Sequence, residues 1–129
     1  MAETRNKKFL SYTPALCWGF LIAYLTLLPK DQIPRELVDL NDKLIHAGIF
    51  FFSAFLIILG SLRYNFKNVL SIRRIGSIWL VTVLFGGLIE ILQHELIRGR
   101  HGDWLDFIAN TVGVTIAVLL WFLIQSRKA

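Results

Sequence analysis

From residue 75 to residue 97 the chain reads IGSIWLVTVLFGGLIEILQHELI, and this stretch decides the fold. An α-helix needs about 20 mainly apolar residues to cross a bilayer, and this run has that length. Its only formal charges, Glu90 and Glu95, stand near its end. Three further runs of the same kind surround it, at residues 9–28, 44–62 and 107–124. The pattern predicts an all-α, polytopic membrane protein, a bundle of four transmembrane helices. One domain covers residues 1–129, with no repeat or low-complexity segment.

Composition agrees. Hydrophobic residues make up 55% of the 129 and charged residues 18%, and mean hydropathy is strongly positive. A soluble domain this small exposes too much of its area to carry so little polar surface. The net charge of +5 would suit nucleic acid only as a patch on a soluble face. Here the basic residues fall in short clusters between apolar runs, which is juxtamembrane charge, so no nucleic-acid partner is expected. The single cysteine, Cys17, lies within the first run and offers neither a disulfide nor a CxxC pair.

The first run is preceded by Arg5, Lys7 and Lys8, as a signal peptide would be. It is too long for a signal core, however, and no small-x-small cleavage site follows. Leu16 stands where a lipoprotein signal wants a small residue before its cysteine, so the run is expected to remain as an anchor. Pro29 and Pro34 end the first helix. The loops are short, which predicts antiparallel consecutive neighbours. Lysine and arginine counts set the orientation. Arg5, Lys7, Lys8, Arg63, Lys67, Arg73, Arg74, Arg127 and Lys128 fall on one side, and Lys30, Arg35, Lys43, Arg98 and Arg100 on the other. Both termini are therefore expected in the cytoplasm.

An ionisable group at membrane depth costs several kcal/mol, which makes each one a functional candidate. In this topology they collect at the outer face. Asp42, Lys43 and His46 open the second helix, Glu90, Gln93 and His94 come late in the third, and Arg98 and Arg100 follow. Asp103, Asp106 and Asn110 lead into the fourth. Glu90, Gln93 and His94 share a helical face, and Asp103, Asp106, Asn110 and Gly113 form a second stripe if the helix starts early enough. At 1.5 Å per residue, Glu90 and Asn110 reach about the same depth, roughly 10 Å in. An acid then faces an amide in a pocket open outward, with His46 near its mouth. Gly86 and Gly87, and the Ala109, Gly113, Ala117 series, suit close helix packing.

Asp42-Lys43-x-x-His46, Glu90-x-x-Gln93, Arg100, Asp106, Asn110 and Gly113, in this order and spacing, resemble the VanZ-like family of bacterial membrane proteins. The resemblance covers most of the chain. It departs at Leu96-Ile97-Arg98-Gly99, where the family often has a proline before the glycine. The resemblance implies a multi-pass protein of the bacterial cytoplasmic (inner) membrane and cell envelope. It also implies a link to antibiotic resistance, since the family is named for a protein associated with low-level teicoplanin resistance. It supplies no reaction.

Each candidate has two readings. Glu90, Gln93 and Asn110 could be an interhelical hydrogen-bond network, but such bonds contribute only about 0.6 kcal/mol on average, which makes a carboxylate a poor choice for stability alone. Arg98 and Arg100 either snorkel to lipid phosphates or grip the phosphate of a lipid-linked substrate. His46 is a general base or a helix-start residue paired with Asp42. His94-Glu95 lacks the second histidine of a zincin, since Arg98 stands there. His46, Glu90 and His94 could converge on a metal from two helices, yet no metal or cofactor is expected. Trp104 is read as a belt or packing residue.

These readings favour a non-catalytic protein binding an envelope lipid, a lipid-linked wall precursor or an amphiphilic glycopeptide. The binding residues would be Asp42, Lys43, Gln93, Arg98, Arg100, Asp106 and Asn110. The alternative is an enzyme on a lipid-linked or phospholipid substrate, with His46 and Glu90 as acid and base. Transport is disfavoured by four helices without a repeat, although a homo-oligomer could supply the missing half.

Overall fold

The computed structural model describes residues 2–28, 42–65, 69–97 and 102–127. Among these residues there are four helices and no strand: α1 (Ala2–Thr26), α2 (Asp42–Asn65), α3 (Ile72–Leu96) and α4 (Trp104–Ser126). All four are long and apolar enough to cross a membrane. Large apolar side chains such as Phe20, Leu84, Leu88 and Leu123 stand exposed on the bundle's outer surface. Water would not tolerate so continuous an apolar exterior, and lipid requires it.

Several helices overrun their apolar stretches. α1 begins at Ala2 where hydropathy begins at residue 9, and α4 at Trp104 where hydropathy begins at residue 107. Hydropathy marks contact with lipid, whereas caps mark the helix end. The Ser71 hydroxyl accepts the Arg74 N–H at 3.3 Å and starts α3. The Asp103 carboxylate accepts the Leu105 N–H at 2.9 Å and starts α4. Asp103 is thus the cap of α4, outside the helical stripe of Asp106, Asn110 and Gly113. Pro14 lies inside α1, where it removes one ladder hydrogen bond without ending the helix.

α2 is the central element. It packs along α4 over the largest interface and also touches α1 and α3. Consecutive helices do meet, but short loops could not reveal that α2 and α4 pair most closely. Two glycines explain the approach. A Cβ at Gly113 would overlap the Ala47 carbonyl of α2, and one at Gly60 would sit 2.8 Å from the Ser11 carbonyl of α1. Ala109 and Ala117 are buried on the same face of α4 as Gly113.

The core follows from this packing. Phe50, Ala54, Val83, Val114 and Ala117 form one buried cluster, and Ile58, Leu70, Ile75 and Ile78 another. Polar ties fix the end where α2 finishes and α3 starts. The Gln125 amide oxygen accepts the Leu70 N–H at 3.1 Å, and its Nε2 donates to the Leu70 carbonyl at 3.1 Å. The Tyr12 hydroxyl shares a hydrogen bond with Ser61 at 2.9 Å and accepts one from Arg74. The tryptophans at membrane depth are packing residues: Trp18 donates to Ser53, Trp79 to Thr115 and Trp121 to Gln125.

Candidate functional site

The start of α2, the end of α3 and the start of α4 meet at one end of the bundle, bringing most of the sequence candidates together. Lys43 is the first element of the site. Its ammonium donates to Asp103 Oδ2 at 2.7 Å and to Asp106 Oδ1, joining α2 to α4. Asp42 Oδ2 lies 3.8 Å from the same nitrogen. The Lys43 ammonium, with the Leu105 N–H, holds the Asp103 carboxyl below the usual carboxylate range.

Deeper in lies a chain of three side chains from three helices. His46 Nδ1 on α2 is 3.0 Å from Asn110 Oδ1 on α4. Asn110 Nδ2 donates, over a long 3.4 Å, to Glu90 Oε1 on α3. Glu90 Oε2 accepts the Asp103 N–H, also at 3.4 Å. His46 and Glu90 are themselves 3.8 Å apart. Asn110 is 1% exposed and Glu90 8%, so these polar groups are buried and hydrogen-bonded to one another, as buried polar groups require. The second contact face of His46 is acidic: Nε2 lies 3.7 Å from Asp42 Oδ1 and 3.7 Å from Asp106 Oδ2.

Glycines permit this convergence. A Cβ at Gly102 would come within 2.9 Å of the Glu90 carbonyl, so the chain entering α4 lies directly against α3. A Cβ at Gly86 would lie 3.4 Å from Asn110 Cβ. Small residues one turn from Glu90 therefore set the α3–α4 separation that lets the acid meet the amide.

The sequence candidates divide as follows. His46, Glu90, Asn110, Asp42, Lys43 and Asp106 form one cluster. His46, its side chain 14% exposed, lies within it beside the 63% exposed side chain of Asp42. Gln93 is turned elsewhere: its Nε2 donates to the Thr26 carbonyl at the end of α1, at 2.8 Å. Arg98 and Arg100 lie outside the described residues. Asp103, read from sequence only as part of a stripe, is a direct partner of Lys43.

An open groove of about 490 Å³ runs between α3 and α4 beside this cluster. Gly87, Glu90, Ile91 and His94 line it from α3, and Trp104 and Phe107 from α4. Glu95 and Asp103 border its polar end. Its walls are mainly apolar, and Ile91 and Trp104 are widely exposed on the lipid-facing surface. Glu90 belongs to both features, closing the buried chain on one side and facing the groove on the other. Sequence reading named Glu90, His94 and Gly87 and took Trp104 for a belt or packing residue, but gave Ile91 and Phe107 no role. The signal was available in Gly87, Ile91 and His94, which lie four and three residues apart and form a helical stripe beside Glu90.

The geometry can be set beside known proteins. An uncharacterized protein of Schizosaccharomyces pombe is 32% identical over 107 residues, which are 82% of this chain and 59% of that protein. The chain thus spans less than two thirds of its relative's length. No solved structure matches. The VanZ/LLP1 family model matches residues 9–125, nearly the whole bundle and every described residue of the polar cluster. This multi-pass membrane protein, with four helices among its described residues, belongs to the VanZ/LLP1 family.

Proposed function

We propose that the protein binds a phosphate-bearing membrane lipid in the groove between α3 and α4. One observation carries this reading: a 490 Å³ groove, apolar along its walls and open at the lipid-facing surface, ends on the buried carboxylate of Glu90. An amphiphile needs both parts. Its chains lie against Ile91, Trp104 and Phe107, while hydroxyl or ammonium groups of its head donate to Glu90. Its phosphate is assigned to Arg98 and Arg100, which stand in the chain between Ile97 and Gly102. The Lys43 clamp and the His46–Asn110–Glu90 chain hold the polar end in place.

The fungal relative bears on the ligand. A phospholipid or polyprenyl phosphate is common to bacterial and fungal membranes, whereas a peptidoglycan precursor or a lipoglycopeptide is not a fungal ligand. Phosphate-bearing lipid is therefore the class preferred here. In a bacterial host the inner membrane would house the protein, with both termini cytoplasmic and the groove's polar end outward. A role in glycopeptide resistance would then follow from a changed envelope lipid.

Native mass spectrometry of the protein released from membranes tests this reading. The parent is expected to retain one lipid, Ile91→Trp to lose it by filling the groove, and Glu90→Gln to hold it at least tenfold more weakly. Equal retention by all three would exclude the groove as the site. A catalytic reading has one observation in its favour, the short path from His46 through Asn110 to Glu90. Lipid turnover in vesicles that vanishes in Glu90→Gln while binding of the same lipid persists would establish that reading.

A further inference from the structure

The Lys43 clamp has a second effect on the carboxylates it holds. Asp106 gives Oδ1 to Lys43 and turns Oδ2 toward His46. Asp42 likewise turns Oδ2 toward Lys43 and Oδ1 toward His46. Two fixed carboxylate oxygens thus face the same atom, His46 Nε2, each at 3.7 Å. That distance is too long for a hydrogen bond.

The other side of the imidazole fixes what Nε2 presents. Glu90 accepts from Asn110 Nδ2, which directs Asn110 Oδ1 at His46 Nδ1, 3.0 Å away. An amide oxygen accepts, so Nδ1 carries the proton and Nε2 of the neutral ring presents its lone pair. Three acceptor atoms then converge: Asp42 Oδ1, His46 Nε2 and Asp106 Oδ2, all within 4.8 Å of one another. Acceptors repel unless a cation lies among them. Zinc-class cations take nitrogen and oxygen donors at about 2.0–2.2 Å, which sets tetrahedral donors about 3.4 Å apart. The two 3.7 Å spacings to His46 need to shorten by a few tenths of an ångström, and the Asp42–Asp106 spacing, within 4.8 Å, closes as the two carboxylates turn toward the ion. A histidine whose far nitrogen donates to an oriented acceptor is also the arrangement that supports a metal-bound imidazole.

We propose that Asp42, His46 and Asp106 form a binding site for one divalent transition-metal cation of the zinc class. Asn110 and Glu90 act as positioning residues behind it, and Lys43 holds both carboxylates by their outer oxygens. Three carboxylates (Asp42, Asp103 and Asp106) surround one ammonium, so the cluster keeps negative charge for the ion. Asp42 has a side chain 63% exposed, which leaves the approach from the aqueous side open. Three protein donors leave a further coordination position for water or a ligand oxygen. This site is independent of the lipid reading, because its donors are not the groove walls.

Co²⁺ titration of the untagged, full-length protein in detergent, after treatment with a chelator, tests the site. The expected result is a visible absorption band that saturates at one equivalent and is displaced by Zn²⁺ but not by Mg²⁺. Asp42→Asn, at the exposed rim, should weaken Co²⁺ at least tenfold while leaving the far-ultraviolet circular dichroism unchanged. His46→Ala should abolish the band, and Asn110→Ala should weaken binding about 10–100-fold. Absence of a saturable band in the parent, or a band unchanged in both Asp42→Asn and His46→Ala, would overturn the proposal. Lipid retention measured on the same samples separates this outcome from failure of the groove reading.

Discussion

Asn110 is the residue on which the site turns. Its amide uses the oxygen toward His46 and the nitrogen toward Glu90, so it joins three helices at a point 1% exposed. Asn110→Ala leaves a buried carboxylate without its side-chain donor, and such a loss costs about 1–3 kcal/mol. A lower thermal midpoint in detergent, with helicity retained, is the expected result. Asp103 gives a second test. Its carboxyl sits below the ordinary value because Lys43 and the Leu105 N–H favour the charged form. A depressed folded-state pKa means the native protein binds fewer protons than the unfolded chain near that pH. The stabilisation is complete above the ordinary value of 3.8 and is lost as the pH falls through the lowered folded value. Asp103→Asn should therefore melt below the parent at pH 6, with the gap closing only as the pH falls below 3.8. A gap that does not change with pH would separate Asp103 from its charge. Residue spacing was enough to place Glu90 opposite Asn110, because both follow from helical rise and antiparallel depth. It could not place Gln93 on the Thr26 carbonyl or Lys43 between two aspartates. Those contacts depend on the rotation of each helix about its axis, which small and polar residues leave undetermined in sequence.

At the scale of elements, the α2–α4 contact governs the geometry. Gly113 faces the Ala47 backbone so closely that any side chain forces the helices apart. Gly113→Leu should separate His46 from Asn110 as well as loosen the bundle. The expected signs are a stability loss of about 1–3 kcal/mol or more, as for overpacking, and loss of Co²⁺ affinity in the fraction that remains folded. Gly48, whose Cβ would meet open space, is the control, and Gly48→Ala should melt with the parent. The small-residue series on α4 was visible in sequence, but its partner was not, since all four helices carry small residues. Helix ends were legible only where a cap coincided with a change in hydropathy. Asp103 ends the polar loop and caps α4 at once, yet hydropathy alone begins the helix at residue 107, past Trp104 and Asp106.

At the scale of the molecule, the outer surface is apolar around a polar end. Nine lysines and arginines in the two tails and the segment between α2 and α3, against five in the other two connections, are the basis for proposing that both termini are cytoplasmic. Single cysteines introduced in a Cys17→Ser background test this with a membrane-impermeant thiol reagent on intact cells. Gly102→Cys should label and Ser71→Cys should not, and the reverse pattern would invert the protein. The four-helix bundle itself was readable from hydropathy because lipid demands long apolar helices and little else. The groove was not, because it is lined by residues of both α3 and α4, and no single helix encodes how the two lie together.

The lipid proposed for that groove would have its head at Glu90. The most direct measurement is photo-crosslinking with a phospholipid carrying a photoactivatable group near its glycerol, reconstituted with the parent protein. Peptide mapping should find adducts concentrated at Gly87, Ile91 and His94 of α3 and at Trp104 and Phe107 of α4, and Ile91→Trp should remove them. Adducts spread evenly over the lipid-facing positions Leu80, Leu84, Leu119 and Leu123, with no preference for the groove, would contradict the account.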